Sequence, residues 1–574
     1  MNFFKTILVL SALVTFNANS SEFKITDDVE TNETFTTAVA TWSENEPIPL
    51  GGRPNPFALP AGEFEKAKAQ GQIHAQVFPV EVTGSLAPYG PFKTALEDEA
   101  ASPFRNWLKN IFKNMVGFES TDDVFKWLGL HKYPAAQDSG IYQVAHPGVA
   151  LPGDRMGVGF IERNGAQGFM FSCAACHSGT LFGKTVLGMT NRFPRANEFF
   201  VLAKQGMNFL SPEFFQFALH TTNAEKELFI QLKNELRSVG AKKPVVLGLD
   251  TALAQVALSL NHRNPDADAT KNTKLEKNPV KDWLDTNPAD SKPAVWWNVK
   301  FKNRWFSDGS IVSGNPIYTN ILSNEIGKGA DLVKLKDWFR DNQQKVRDLT
   351  TAVFSSEAPR WSDFFSEDTI NIQKARHGEQ LFNNTCSRCH GTYQKAWNNV
   401  TGTPAWPESI RTVKVSYPSL TQVIDVGTDP LRWQGMKSLV SLNRLTIFQQ
   451  AGSVVKPQKG YVPPPLVGIW ARWPYFHNNS APTLCSVLTK ASARPISFYM
   501  GEAENPETDF DRACNGYPLG LNTPKAWRTA EFQFDTRRKG LGNSGHDEGI
   551  FLKNGQEIFT ATDKMDIIEF LKTL

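Results

Sequence analysis

Cysteine is scarce here, six in 574 residues, too few for a fold held by bridges in place of a hydrophobic core. An excess of one charge is also missing. Lys and Arg number 61 against 58 Asp and Glu, a formal net charge of +3. No basic tract is dense enough to read as a nucleic-acid surface, so nucleic acid is not an expected partner. Past the first twenty residues no apolar run is long enough to span a bilayer, so no stable membrane span is expected in the mature chain. No short-period internal repeat is present. Aromatic residues are plentiful instead: 41 Phe and 15 Trp must fill large cores or pack on something large and flat. At this length two or three domains are expected.

The amino terminus has the pattern of an export leader. Lys5 stands in a short head, Ile7 to Phe16 is apolar, and Ala18 and Ser20 supply the small residues before a cut after Ser20. An uncleaved anchor is the alternative, but the run is short for a span. Residues 1–20 are therefore a signal peptide and the expected location is a bacterial periplasm. Residues 21–150 are rich in Pro, Gly and short polar runs and read as an irregular N-terminal extension, with one helical patch near "SPFRNWLKNIFKNMVGF". Helical periodicity follows in "NEFFVLAKQGMNFL", "KELFIQLKNELRSV" and "DTALAQVALSLNH".

Four of the six cysteines fall into one pattern used twice. "FSCAACHSG" holds Cys173, Cys176 and His177, and "NNTCSRCHG" holds Cys386, Cys389 and His390. Two thiols three residues apart can add to the two vinyl groups of a porphyrin, and the adjacent imidazole then reaches the iron. This is the attachment signal for c-type haem. A redox dithiol has no use for the following His. A zinc site needs four ligands in one tetrahedron and would not require either His. One chance match at this Cys and His content is expected about 0.001 times per chain, and there are two. Two covalent haem c groups follow, with His177 and His390 as proximal iron ligands. Cys485 and Cys514 remain, and in an oxidising compartment they read most simply as a disulfide.

The spacing divides the chain into a first haem domain over 151–365, expected to be catalytic, and a second over 366–574, expected to transfer electrons and to carry an insertion. Ile372, Ala375, Gly378 or Glu379, and Phe382 predict a helix running into the second Cys pair. Thr562 or Asp563 caps a final helix whose face is Met565, Ile568, Leu571 and Leu574. The fold class is mainly α, with long irregular loops. His546, on the Gly-rich loop "GLGNSGHDEGIF", is the favoured second axial ligand of the haem at His390, ahead of His477 in "WPYFHNNSAPTL"; Met436 and Met500 read better as core. The first haem has no equally placed partner, Met189 being the nearest, which agrees with an open iron face. Trp296, Trp297, Phe301, Trp305 and Phe306 could line a pocket over that face, bridge the haems or be plain core; the three Trp are the candidate catalytic residues.

These motifs, together with "GIWARWPYFHNNSAPTL", resemble the bacterial dihaem cytochrome c peroxidase superfamily, whose Pro-Tyr-x-His-(Asn/Asp)-Gly-Ser segment is matched except for Asn479 in place of Gly. The length, the N-terminal extension and "NSGHDEG" are more similar to the dihaem rubber oxygenases and periplasmic fatty-acid dioxygenases. That resemblance implies dioxygen at an open first haem ligated by His177 alone, a second haem ligated by His390 and His546, and an unsaturated apolar substrate such as a fatty acid or isoprenoid. The alternatives are a peroxidase that reduces hydrogen peroxide with electrons from a small redox protein, and an electron carrier without substrate chemistry.

Overall fold

The computed structural model describes residues 37–40, 55–77, 85–97, 103, 106, 110, 113, 117–148, 152–312, 315–399, 401–418 and 421–574; the leader expected over 1–20 lies outside them. Helical segments make up 44 % of the described residues and strands 13 %, so the fold is mixed rather than mainly α. Two antiparallel hairpins flank the first Cys-x-x-Cys-His unit. Val158–Arg163 pairs antiparallel with Ala166–Phe171, and Ser178–Leu181 pairs with Lys184–Leu187. Asn164-Gly165 and Phe182-Gly183 turn the two hairpins, all four with positive φ, the conformation that tight hairpin turns require. Asn-Gly was the local signal for the first hairpin; Phe182 held at φ 48° is a tertiary outcome.

Helices occupy the three periodic stretches, as Ala196–Phe209, Asn223–Arg237 and Ala252–Leu260. The middle one starts on a capping box. Glu225 N donates to the Thr222 hydroxyl and Thr222 N donates to the Glu225 carboxylate, which satisfies two otherwise orphaned donors.

Where the sequence suggested an irregular extension, Ala61–Val77 is a 17-residue helix. Its buried face includes Ala67, Gly71 and Ala75, spaced at i, i+4 and i+8. Small residues give a weak periodic signal yet let backbones approach. A Cβ on Gly71 would lie 2.0 Å from the Asp348 carbonyl oxygen, on the helix Gln343–Phe354.

The second unit is framed by two packed helices. Ile372–Thr385 buries Ala375, Gly378, Glu379 and Phe382 against Ala561–Lys572, whose cap is Thr560, two residues ahead of the expected position, with Asp563 at the third helical position closing the box. Between these helices the chain is mostly loops and single turns, tied by the Cys485–Cys514 disulfide across a separation of 29 residues. Loop-closure entropy assigns such a bridge about 3–4 kcal/mol. The core around the second unit also takes in Leu181, Val186 and Met189 from beside the first, so the two units share apolar packing.

The contact between the framing helices has no room for a side chain at Gly378, where a Cβ would lie 1.9 Å from the Asp566 carbonyl oxygen. Gly378→Val should destabilise the protein by about 1–3 kcal/mol or more, the usual range for overpacking. Urea unfolding followed by tryptophan fluorescence checks this; an unchanged midpoint would show that the helices can separate at no cost.

Candidate haem sites

The two Cys-x-x-Cys-His units sit in different hosts but fold into the same turn. In the first, which follows a hairpin, the backbone N–H groups of Cys176 and His177 both donate to the Cys173 carbonyl, at 3.3 and 3.1 Å. In the second, which follows a helix, Cys389 and His390 donate to the Cys386 carbonyl at 3.2 and 3.1 Å. In the first unit Cys173, Cys176 and His177 border one cleft.

Both imidazoles are oriented by a carbonyl far away in sequence. His177 Nδ1 lies 2.8 Å from the Ala294 oxygen and His390 Nδ1 lies 2.9 Å from the Pro464 oxygen. A carbonyl can only accept, so Nδ1 carries the proton in each ring and Nε2 keeps its lone pair for a metal. This is the usual outer-shell support of a metal-bound His. Burial lowers the pKa of both rings, His177 to about 4, which keeps them neutral and able to ligate.

The thiols behave in the opposite sense to a redox pair. Burial raises Cys173 to about 11 and Cys386 to about 12, and also raises Cys176 and Cys389, whereas a reactive dithiol has a depressed pKa. Among the described residues no group of three or more His, Cys, Asp or Glu converges as a metal-ion site, which leaves the zinc alternative without a tetrahedron. The donor set fits covalently held haem.

The surroundings of the two imidazoles differ. His390 faces His546, with ring centroids 6.3 Å apart. Imidazole nitrogens bind metals at about 2.0–2.1 Å, so an iron fits between rings at that separation. His546 Nδ1 is buried without a hydrogen-bond partner. The loop that carries it is pinned: His546 N donates to Val426 O at 2.8 Å, Ser544 Oγ donates to Gly427 O at 2.9 Å, and Arg388, inside the second Cys-x-x-Cys-His unit, donates to Gly549 O. His546 has φ 56°, a left-handed conformation uncommon for residues other than Gly. His477 is placed elsewhere, stacked on Tyr461 at 3.9 Å.

His177 instead borders a cleft with about 1390 Å³ of atom-free space, part of it open to solvent. Cys173 and Cys176 line it with His177, and so do Trp296, Trp305 and Phe306. No second His and no Met lines it among the described residues; Met189 packs in the core instead. The aromatic cluster predicted from sequence is therefore split. Trp296 and Trp305 border the cleft, whereas Trp297 is fully buried and donates from Nε1 to the Val467 carbonyl at 3.0 Å.

Val467 belongs to a strap within the stretch whose excess length implies loops or an insertion over the second haem. Tyr417 donates to Pro463 O, His390 to Pro464 O, Asn298 to Pro465 O and Trp297 to Val467 O, at 2.6, 2.9, 2.8 and 3.0 Å. Three consecutive prolines lack N–H groups and cannot enter a helix or a sheet interior, so their carbonyls stay available to side chains. That was the missed signal.

This strap lies in the stretch that matches known proteins. Residues 460–499 match the family described as RoxA-like, cytochrome c-like. A cytochrome c-like segment implies covalently held haem c. The chain is 24 % identical over 472 residues to the uncharacterized protein y4iJ of Sinorhizobium fredii, spanning 70 % of this chain and 76 % of that protein. It is 34 % identical over 128 residues to the uncharacterized protein y4iM of the same organism, spanning 20 % of this chain and 27 % of that protein. No helix among the described residues is long and apolar enough to cross a membrane.

Two predictions follow from the local chemistry. Asn479 stands at φ 63° and donates from Nδ2 to Gly248 O at 2.9 Å; Asn tolerates the left-handed region that the Gly of the resembling segment enters freely. Asn479→Gly should change stability by no more than about 1 kcal/mol, the backbone gain offsetting the lost hydrogen bond. Asn479→Val should cost more than about 2 kcal/mol, and paired urea titrations decide. Asp250 borders the cleft, and burial raises its pKa to about 6 against a pull downward from the Ala252 N–H. A carboxyl with a raised folded-state pKa adds stability that is present below the unfolded value of 3.8 and is lost as pH rises through about 6. Asp250→Asn should flatten the fall in stability between those values, and an unchanged slope would assign it to other groups.

Proposed function

We propose that this chain is an exported, periplasmic dihaem c-type oxidoreductase with one closed and one open centre. Cys173, Cys176 and His177 would hold the open haem, and Cys386, Cys389 and His390 the closed one, with His546 as its second axial ligand. The observation that carries this is the asymmetry between the centres: an imidazole opposite His390 at 6.3 Å and an aromatic cleft without a second His or Met beside His177. Haem bound there would supply an iron face for dioxygen or peroxide at the first unit and one-electron transfer at the second.

The protein's own residues have separate tasks. Trp296, Trp305 and Phe306 give apolar wall to a cleft that Asp250, Lys292, Lys302 and Arg432 also line. Haem held by Cys173, Cys176 and His177 would occupy part of it, and a hydrocarbon chain buried against the remaining apolar wall would gain about 25 cal/mol per Å². An unsaturated fatty acid or isoprenoid with dioxygen as co-substrate suits such a lining, and this is why oxygenation is placed ahead of peroxide reduction. Trp296 and Trp297 connect the centres. The Trp296 ring lies 5.9 Å from the His177 ring, and Trp297 is bonded to the strap that holds His390. We assign them the electron path.

The haem-loaded protein, once reduced, should bind one carbon monoxide per chain, at the open centre. His546→Ala should bind two and should change one of the two resting electron paramagnetic resonance signals while leaving the other. Oxygen should be consumed on adding an unsaturated fatty acid without an external electron donor. Turnover of peroxide alone, after reduction of the second centre, would move the assignment to a peroxidase; no carbon monoxide binding at all would make the chain an electron carrier.

A further inference from the structure

Arg192, Lys292 and Arg472 are sunk in the protein, and solvent reaches them only partly. Arg192 donates from Nε to Trp473 O at 2.9 Å, from one terminal nitrogen to Ala471 O at 2.8 Å and from the other to Thr180 O at 3.1 Å. Its guanidinium lies 4.1 Å from the Trp473 ring centre. Lys292 Nζ donates to Pro474 O at 2.5 Å and Arg472 O at 3.4 Å. Arg472 donates to Pro465 O at 3.2 Å. Every one of these partners is a neutral carbonyl or an aromatic ring.

Among the described residues no carboxylate acts on any of the three. Burial lowers the pKa of each, and the opposing charges that reach Arg192 and Arg472 are tyrosines only, while Lys292 feels the other two cations. Other sunken cations have a carboxylate within electrostatic reach: Arg263 and Arg494 are also bonded to carbonyls, but Glu235 and Asp547 act on them, and two are paired directly. Arg432 is paired with Asp308 at 2.8 Å and Lys328 with Glu325 at 3.1 Å. Charges withdrawn from water without a counter-ion are costly, so three together point to anions other than the carboxylates of the described residues.

Their position identifies where those anions come from. Asn191, next to Arg192, donates from its backbone to Cys176 O at 3.0 Å. Lys292 borders the cleft at His177 and lies two residues before Ala294, the support of that imidazole. Pro465, the partner of Arg472, follows Pro464, the support of His390. The cluster therefore lies between the supports of the two centres, and each haem c brings two carboxylates.

We propose that Arg192, Lys292 and Arg472 form one cationic site between the two Cys-x-x-Cys-His units that binds carboxylates, namely the propionates of the covalently held haems. The proposal rests on the dihaem reading. The site offsets the negative charge of the propionates and couples the two centres, since a charge change at one is felt by cations bonded beside the other. A free fatty acid offers the same chemical group, and Lys292 is open to the cleft, so the test separates the two sources.

The test uses the haem-loaded full chain with Lys292→Gln and Arg472→Gln, and with the charge-retaining Lys292→Arg and Arg472→Lys. Mass and haem content of the parent protein come first; fewer than two haems per chain overturns the dihaem reading, and the cluster is then judged on the remaining potential. In substrate-free protein, spectroelectrochemical titration should show that each Gln variant disfavours reduction by a factor of ten or more, 59 mV for a one-electron couple, while the charge-retaining variants stay within that. Stearate binding should be the same in all. Loss of stearate binding with unmoved potentials assigns the site to a free acid and overturns the propionate assignment. Neither change overturns the site altogether. If a Gln variant fails to load haem, loading restored by its charge-retaining counterpart supports the site, and failure in both overturns it.

Discussion

A proton held on Nδ1 of an imidazole by a backbone carbonyl is a small interaction, yet the arrangement around both Cys-x-x-Cys-His units depends on it. Without that bond a His beside two cysteines can turn either nitrogen outward. With it, as between His177 and Ala294 and between His390 and Pro464, Nε2 is the free donor and the ring plane is set. The acceptors lie 117 and 74 residues downstream. Much of the intervening chain serves to bring them back: Asp250 and Ser291 exchange backbone bonds beside the first acceptor, and Trp296 N donates to Gly188 O next to it. Tyr393 plays the same part at the second, donating to His390 O and accepting from Leu466 N.

Because the two supports are built by different segments, the centres can differ although their turns are alike. The strap around Pro464 is flanked by the segment over 426–428, on which the loop bearing His546 is pinned; a Cβ on Gly545 would lie 2.2 Å from the Gly427 carbonyl carbon. Backbones this close leave little room for the loop to withdraw, and the second imidazole stays opposite the first. Beside His177 the cleft is bordered by Trp296, Trp305 and Phe306 and by no second His or Met among the described residues. The unequal surroundings of His177 and His390 are a consequence of which residues the long loops deliver.

Much of this was visible in the residue order. The repeated Cys-x-x-Cys-His spacing, the periodic helices, the framing helices of the second unit and the pairing of Cys485 with Cys514 rest on local rules, and His546 stood out by its Gly-rich setting. Other features stayed hidden for definite reasons. The helix Ala61–Val77 packs through Ala67, Gly71 and Ala75, small residues that leave no strong hydrophobic period. The hairpins at the first unit were not read from the sequence, where only Asn164-Gly165 carried a local turn signal. Trp296 and Trp297 are adjacent in sequence but separate in space, since a 3-10 turn over Trp296–Phe301 sends one ring to the cleft and the other to the core.

The sequence by itself determined which residues can anchor porphyrin, because thioether attachment needs two thiols and an imidazole within five residues, and a chain that short is fixed by local stereochemistry. Tertiary structure alone decided which nitrogen each imidazole keeps free, which centre has a second imidazole opposite it, and that Arg192, Lys292 and Arg472 meet without a carboxylate. Those outcomes rest on contacts between residues 74 to 281 apart, and no local pattern encodes a distance of that kind.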